Sequence, residues 1–278
     1  MKLNKIAKVL SVLFIFTLIV SSSAFAGKKT KLLLNPEINK AVKYELKMVV
    51  GTLSTVNGQV SAMDQNLTLD MEMNCKEKNA DGNFVMSVII NDIDMEMDAN
   101  GQSINYSSKL KAEELSPMAA QMKPMIDKFL GKPVEFVISP EGKVISIDSD
   151  DSNGAMGMPF QSKSQLEGLF NYLTAKEVKK GDTYKVDYTE SNQIELLIKG
   201  EYTVEKIGSK DVDLLFKADT YTDDSEKKAG IMNNKLSVDR NTGMIKTSKT
   251  NWQYEAIVKQ AGMEIPVDVE MEMTMTQK

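Results

Sequence analysis

Sulfur is the most distinctive chemistry of this chain. Met71-x-Met73, Met95-x-Met97, Met156-x-Met158 and Met271-x-Met273-x-Met275 each place thioethers on one face of an extended strand, because side chains alternate with period two. Three chemistries suit that pattern. Soft thioethers select copper(I). Flexible methionines line cavities that accept variable apolar ligands. Plain alternation packs a core. Acids stand between sulfurs in three of the four runs, at Glu72, Glu96 and Glu272, and Glu270 flanks the last run. With Asp70, Asp94, Asp98 and Asp268 they form rows on the opposite face, which read as a solvated surface, a cation ladder or a dock for a basic partner.

Other reactive groups are few. Histidine is absent, which removes the commonest general base and transition-metal ligand together. The one cysteine, Cys75, shares strand parity with Leu69, Met71 and Met73, so it reads as a buried, inert thiol. No Gly-x-Ser-x-Gly elbow or phosphate-cradling glycine loop occurs. Ser-x-x-Lys appears at Ser108/Lys111 and Ser225/Lys228, at the frequency chance gives in so lysine-rich a chain. The Asp148-Ser149-Asp150-Asp151-Ser152-Asn153-Gly154 stretch has a misplaced glycine for a calcium loop and no glutamate at its twelfth position. The sequence assigns no catalytic residue, cofactor or metal ligand, and the chain reads as non-enzymatic.

The elements that position these side chains begin with a leader. Lys2, Lys5 and Lys8 precede an apolar run at residues 9–20, then three serines and Ala24-Phe25-Ala26. That pattern predicts a secretory signal peptide over residues 1–26, cut after Ala26. The run falls short of the roughly 20 residues a spanning helix needs. The mature chain, about 250 residues, is expected to be one all-β domain over 27–278 with an internal boundary near 149–160, addressed to the periplasm or the exterior. Loss of the three leader lysines takes the formal charge from −5 to −8. With Arg240 as the only arginine, the chain is a poor partner for nucleic acid.

Strands dominate the mature chain. Leu32, Leu33 and Leu34 predict a short first strand; Tyr44, Leu46 and Met48 alternate with lysines and a glutamate. Residues 67–75 alternate strictly. In the next strand the apolar set slips from even positions (Phe84 to Ile90) to odd ones (Ile93, Met95, Met97), the mark of a β-bulge. Asn100-Gly101 is a two-residue hairpin signal.

Two helices interrupt the strands. Ser116 caps the first, Pro117 opens it, and Met118, Met122, Met125, Ile126, Phe129 and Leu130 form its apolar stripe up to Gly131, with Pro124 expected to bend or split it. Ser164 and Glu167 predict a capping box for the second, with Leu166, Leu169, Phe170 and Leu173 on one face. Many long strands joined by short turns give an antiparallel sheet that curls. The expected architecture is mostly β: a strongly curved half-barrel with two amphipathic helices on its concave face. A two-sheet sandwich alternates identically and stays open.

Several segments also carry a resemblance: Leu32-Leu33-Leu34, Gly131 with the hairpin at 136–147, Val178-Lys179-Lys180-Gly181-Asp182-Thr183-Tyr184, and Asp239-Arg240-Asn241-Thr242-Gly243-Met244. Through them the chain resembles a family of secreted Bacteroidota proteins known as a domain of unknown function. Its architecture is also similar to the half-barrels of periplasmic lipoprotein carriers. That likeness implies a hydrophobic or lipid-like ligand between sheet and helices and supplies no catalytic residue.

The apolar space so expected is lined by Met71, Met73, Met118, Met122, Phe129, Met271 and Met273. The rival expectations are an envelope scaffold with a fully packed core, working through its acidic face or its edge strands, and copper(I) binding through the Met-x-Met pairs.

Overall fold

A computed structural model describes residues 28–56, 58–148, 160, 162–191, 194–222, 227–260 and 263–278. The leader at 1–26, the boundary at 149–159, the acidic loop ending at Gly154 and the Met156-x-Met158 pair lie outside the described residues, apart from Asp148.

Strict alternation becomes long antiparallel strands. The first half contributes β2 (Val42–Val56), β3 (Gln59–Lys78), β4 (Phe84–Ala99), β5 (Gln102–Ser107), β6 (Pro133–Ile138) and β7 (Val144–Asp148). The second contributes β9 (Thr183–Ser191), β10 (Glu195–Ile207), β11 (Asp211–Thr222), β12 (Lys228–Asp239), β13 (Ile245–Gln260) and β14 (Met263–Gln277). They form one 12-stranded sheet in the order β7-β6-β4-β3-β2-β14-β13-β12-β11-β10-β9, with β5 also on β4. Both ends of that order are free edges, so the sheet is an open half-barrel. The last strand, β14, pairs with β2 and fuses the two halves. A small separate sheet joins β1 (Lys29–Leu32) to β8 (Thr174–Lys179).

The bulge expected between Ile90 and Ile93 is present and has a structural consequence. Asp70 pairs with Asp92 and Met71 with Ile90, leaving Asn91 as the extra residue. On one side of it β4 pairs with β6, on the other with β5. The strand thereby changes its edge partner, and the chain between β5 and β6 is free to form helix α1 (Pro117–Ile126). Asn100 and Gly101 both take positive φ, 53° and 80°, as the two-residue turn requires.

Three expectations are corrected. Helix α1 ends at Ile126, four residues early, and its buried residues are Ala119 and Ile126. Met118 and Met125 are exposed, because the helix rests on β5 through a face one step around from the methionine stripe. The chain then turns, and Gly131, at φ 69°, donates its N–H to the Ile90 carbonyl. The second helix, α2 (Lys163–Phe170), is capped by Ser162 with Gln165, not by Ser164 with Glu167. Both pairs fit the capping pattern; the observed one is the register that buries Leu166 and Phe170. The first strand ends at Leu32, since the N–H groups of Leu34 and Asn35 bond to the carbonyls of Pro140 and Thr242.

That last arrangement seals one end of the half-barrel. Leu34 and Asn35 tie together the β6–β7 and β12–β13 turns, one from each half. Tyr172 donates to the Gly243 carbonyl at 2.7 Å and Tyr44 to the Ile245 carbonyl at 3.0 Å. Arg240 donates to the Lys29 and Gly208 carbonyls and to Thr30 Oγ1, fixing the small sheet there. Gly243 has φ 68°, and a Cβ on it would stand 2.3 Å from the Leu33 oxygen. Gly243→Ala is therefore expected to cost about 1–3 kcal/mol, read as a lowered urea midpoint. An unchanged midpoint would show that the seal has slack.

Helix α2 closes the side. It packs against β9 and also against β7, the two free edges of the sheet. It thus bridges the seam that an open half-barrel leaves.

Candidate functional site

Every second residue of the long strands faces the concave side, and on β2 and β3 its burial falls along the strand. On β2, Tyr44 and Leu46 are buried, whereas Met48, Val50, Thr52, Ser54 and Val56 are only half-buried. On β3 the same gradient runs from Cys75, Met73, Met71, Leu69 and Leu67 to Gln65, Met63 and Ser61. On β14, Met275 is buried and Met273, Met271, Val267 and Ile265 are half-buried, with Val269 buried among them. The concave face is therefore covered at the sealed end; toward the other end it is partly uncovered on β2, β3 and β14, whereas Leu196, Ile198, Thr220 and Met232 keep it buried on β10, β11 and β12. The uncovered part is a mouth.

The expected lining residues divide accordingly. Met71 and Met73 are fully buried near the sealed end, facing Tyr44 and Val42 across the β2–β3 pairing. Met271 and Met273 lie in the mouth, opposite Val50 and Met48. Some six residues of β2 separate the two pairs, roughly 20 Å. Met122 is half-buried against the core from α1, and Phe129 is half-buried beyond the helix's end. Met118, 49% exposed, faces solvent and lines nothing. The structure thus brings Met271 and Met273 together with Met48 beside them on β2, places Met63 and Met97 two and three strands away on β3 and β4, and leaves Met71 and Met73 in packed core. Met48 and Met63 carry no Met-x-Met spacing, and only register across strands places them here.

Polar groups interrupt the mouth's second wall. Trp252 Nε1 donates to Thr220 Oγ1 at 3.0 Å, and the Trp252 and Tyr254 rings are 4.8 Å apart. Tyr188 reaches from β9 to hydrogen-bond the Met232 sulfur at 3.6 Å, next to Trp252 in register. Thr250, opposite Met273, is buried with its hydroxyl unpartnered among the described residues.

Glu190 also lies on this wall, beside Tyr188 and under α2. A Cβ added at Gly168 would stand 3.2 Å from the Tyr188 ring and 3.5 Å from Glu190 Oε2, so the helix lies directly on both. Burial pushes the Glu190 carboxyl up to about 7. The same burial raises the Tyr188 and Tyr254 phenols, with the Glu190 charge adding to both. Sequence reading missed Glu190. Its signal was present: it continues the apolar phase of Tyr184, Val186 and Tyr188, where a charged residue is out of place.

The outer face is different in kind. Across β9, β10 and β11, Lys199 stands between Asp187 and Asp219, and Glu201 between Lys185 and Lys217. These line an open hollow of about 530 Å³ whose charges balance one another. Among the described residues, no three His, Cys, Asp or Glu side chains gather as a metal-ligand set. No described helix is long and apolar enough to cross a membrane.

Comparison with known proteins bears on the fold. Residues 81–153 match the model of a family of unknown function (DUF6263), in keeping with the resemblance read from the sequence. No curated protein matches the chain. A structure of lipovitellin, described through its lipid–protein interactions, is similar over 87% of this chain, with 12% identity and a TM-score of 0.51. The match occupies 25% of the lipovitellin chain, so this chain corresponds to a fraction of that protein. At that identity the likeness shows a shared fold. Two others align over most of both chains. One is described as a domain of an outer membrane lipoprotein-sorting protein from Vibrio parahaemolyticus (8% identity, 82% of this chain, 83% of that one, TM-score 0.16). The other is a DUF1329 family protein from Desulfovibrio piger (10% identity, 84% and 83%, TM-score 0.18). Superpositions that poor carry no weight for the fold.

Proposed function

We propose that this chain is an exported, non-enzymatic protein that holds an apolar, lipid-like ligand in the mouth of its half-barrel. The observation that carries the reading is the burial gradient on the concave face. A protein built only to pack would cover both halves of an apolar face whose burial is favourable at about 25 cal/mol per Å². Here one end is sealed by backbone-bonded turns and a tyrosine network, and the other is left partly uncovered on β2, β3 and β14. Methionine suits such a surface, since an unbranched thioether adapts to ligands of differing shape. The unpartnered Thr250 hydroxyl offers a hydroxyl-bearing ligand one hydrogen bond. The lipovitellin likeness supports the reading through the fold the two proteins share.

Export rests on the leader at residues 1–26, and the mature chain begins near Gly27.

Native mass spectrometry of the mature protein from its own host, followed by organic extraction, tests the reading. The expected result is a discrete added mass that extracts as lipid. Replacing Met271 and Met273 together with glutamine should lower its retention on the order of tenfold while the melting temperature stays within a few degrees. Repeatedly bare protein would overturn the carrier and favour a scaffold with a packed core.

A further inference from the structure

Glu190 is an acid on the concave face with nothing to balance it. Among the described residues no side chain donates a hydrogen bond to its carboxyl and no cation acts on it; burial alone sets its value. It is nevertheless only half-buried, so one side of it reaches solvent.

Its surroundings are aromatic. Glu190 and Tyr188 lie side by side under Gly168 of α2. The Tyr188 hydroxyl reaches the Met232 sulfur, Met232 pairs with Trp252, and the Trp252 ring lies against that of Tyr254. Tyr254 completes the group, since the Glu190 charge acts directly on its phenol. In register, Ile198, Thr220 and Gly230 join Tyr188 to Tyr254 across three strands. Ile198 and Thr220 are fully buried, whereas Tyr188 and Tyr254 are half-buried like Glu190. The acid and the two rings thus stand at the solvent boundary of a covered floor. On the next strand Trp252 pairs with Met271 and Tyr254 with Val269, so the rings adjoin the thioethers of the mouth.

We propose that Glu190, with the rings of Tyr188 and Tyr254, receives the ammonium head of a cationic amphiphile whose apolar part lies on Met271, Met273 and Met48. The assignment rests on the ligand reading above and adds the charge of the ligand to it. An ammonium supplies the counter-charge that the carboxylate lacks, and aromatic rings attract a cation through their electron-rich faces. A neutral head would leave the ionised carboxylate unpaired. A carboxylate or phosphate head would set a second negative charge beside it, with no cation to offset either.

The test uses the mature protein at pH 8, where Glu190 is ionised, and the fluorescence of Trp252, the only tryptophan, with calorimetry alongside. Four ten-carbon probes are titrated as monomers: decylammonium, decyltrimethylammonium, decanol and decanoate. At least one cation is expected to bind roughly tenfold more tightly than decanol, and decanoate more weakly than decanol. Preference for decylammonium identifies a primary amine head, and preference for decyltrimethylammonium a choline-like one. Glu190→Gln should bring the cations down to the affinity of decanol, leave decanol unchanged and strengthen decanoate. A wall that was merely loosened would move all four probes the same way. Cations that bind no more tightly than decanol, or a variant that holds them as tightly as the parent, would overturn the ammonium site while the apolar-ligand reading stands. Binding of none of the four would overturn both.

Discussion

Glu190→Gln is expected to stabilise the protein by up to about 3 kcal/mol at pH 8 and to leave it unchanged near pH 4. Burial raises the carboxyl from 4.5 to about 7 in the folded chain. Between those values the folded chain keeps a proton that the unfolded chain has released. Stability therefore falls as pH rises through that window, by about 1.4 kcal/mol for each unit crossed, and stays at its reduced level above it. Glutamine has the same shape and no charge, so the variant lacks this loss. Urea unfolding of parent and variant at pH 4.5, 6 and 8 checks it: the curves should diverge with rising pH, the parent falling. Parallel curves would mean that the carboxylate is solvated in the mouth. Because α2 rests on Glu190 through Gly168, the same ionisation weakens the contact between that helix and β9.

The sheet was legible because alternation is a local signal. Period two on Tyr44, Leu46 and Met48, or on Leu67 through Cys75, fixes which side chains share a face, and a phase slip of one residue marks the bulge at Asn91 without knowledge of any partner strand. Asn100-Gly101 was legible for the same reason, since positive φ at two successive residues restricts composition. The strand Lys228–Asp239 went unread: Met232, Leu236 and Val238 are its only strongly buried residues, and Asn234 interrupts the phase. The methionine stripe on α1 misled because periodicity shows that a helix has an apolar side, not which residues its neighbour covers. Ala119, small enough to sit against β5, decided that. The mouth was hidden for a related reason. Alternation marks Met71 and Met271 alike as inward, and only the closure of one end by the turns at Pro140 and Gly243 separates a packed methionine from an open one.

Phe170→Ala is expected to cost about 3–5 kcal/mol and to open the molecule along its seam. Phe170 is the last residue of α2, fully buried, with its ring 6.2 Å from that of Phe136 on β6. Its carbonyl lies against Gly142, where a Cβ would approach to 2.4 Å, so the helix end and the β6–β7 turn are in contact through backbone as well as side chain. Truncation removes the ring and leaves a cavity that a backbone held so closely fills poorly. The effect should also be uneven in space. Strands β7 and β9 have one strand neighbour each and depend on α2 for cover, whereas β2, β3 and β14 are paired on both sides. Hydrogen exchange in the variant should accelerate first in β7, β9 and α2, and least in β2 and β14. Met118→Ala, at an exposed site of α1, serves as the control and should stay within about 0.5 kcal/mol of the parent. Equal acceleration across all strands would show that the barrel unfolds as one unit and that α2 is not its clasp. A loss confined to the seam would identify this helix as the element that moves when the half-barrel widens.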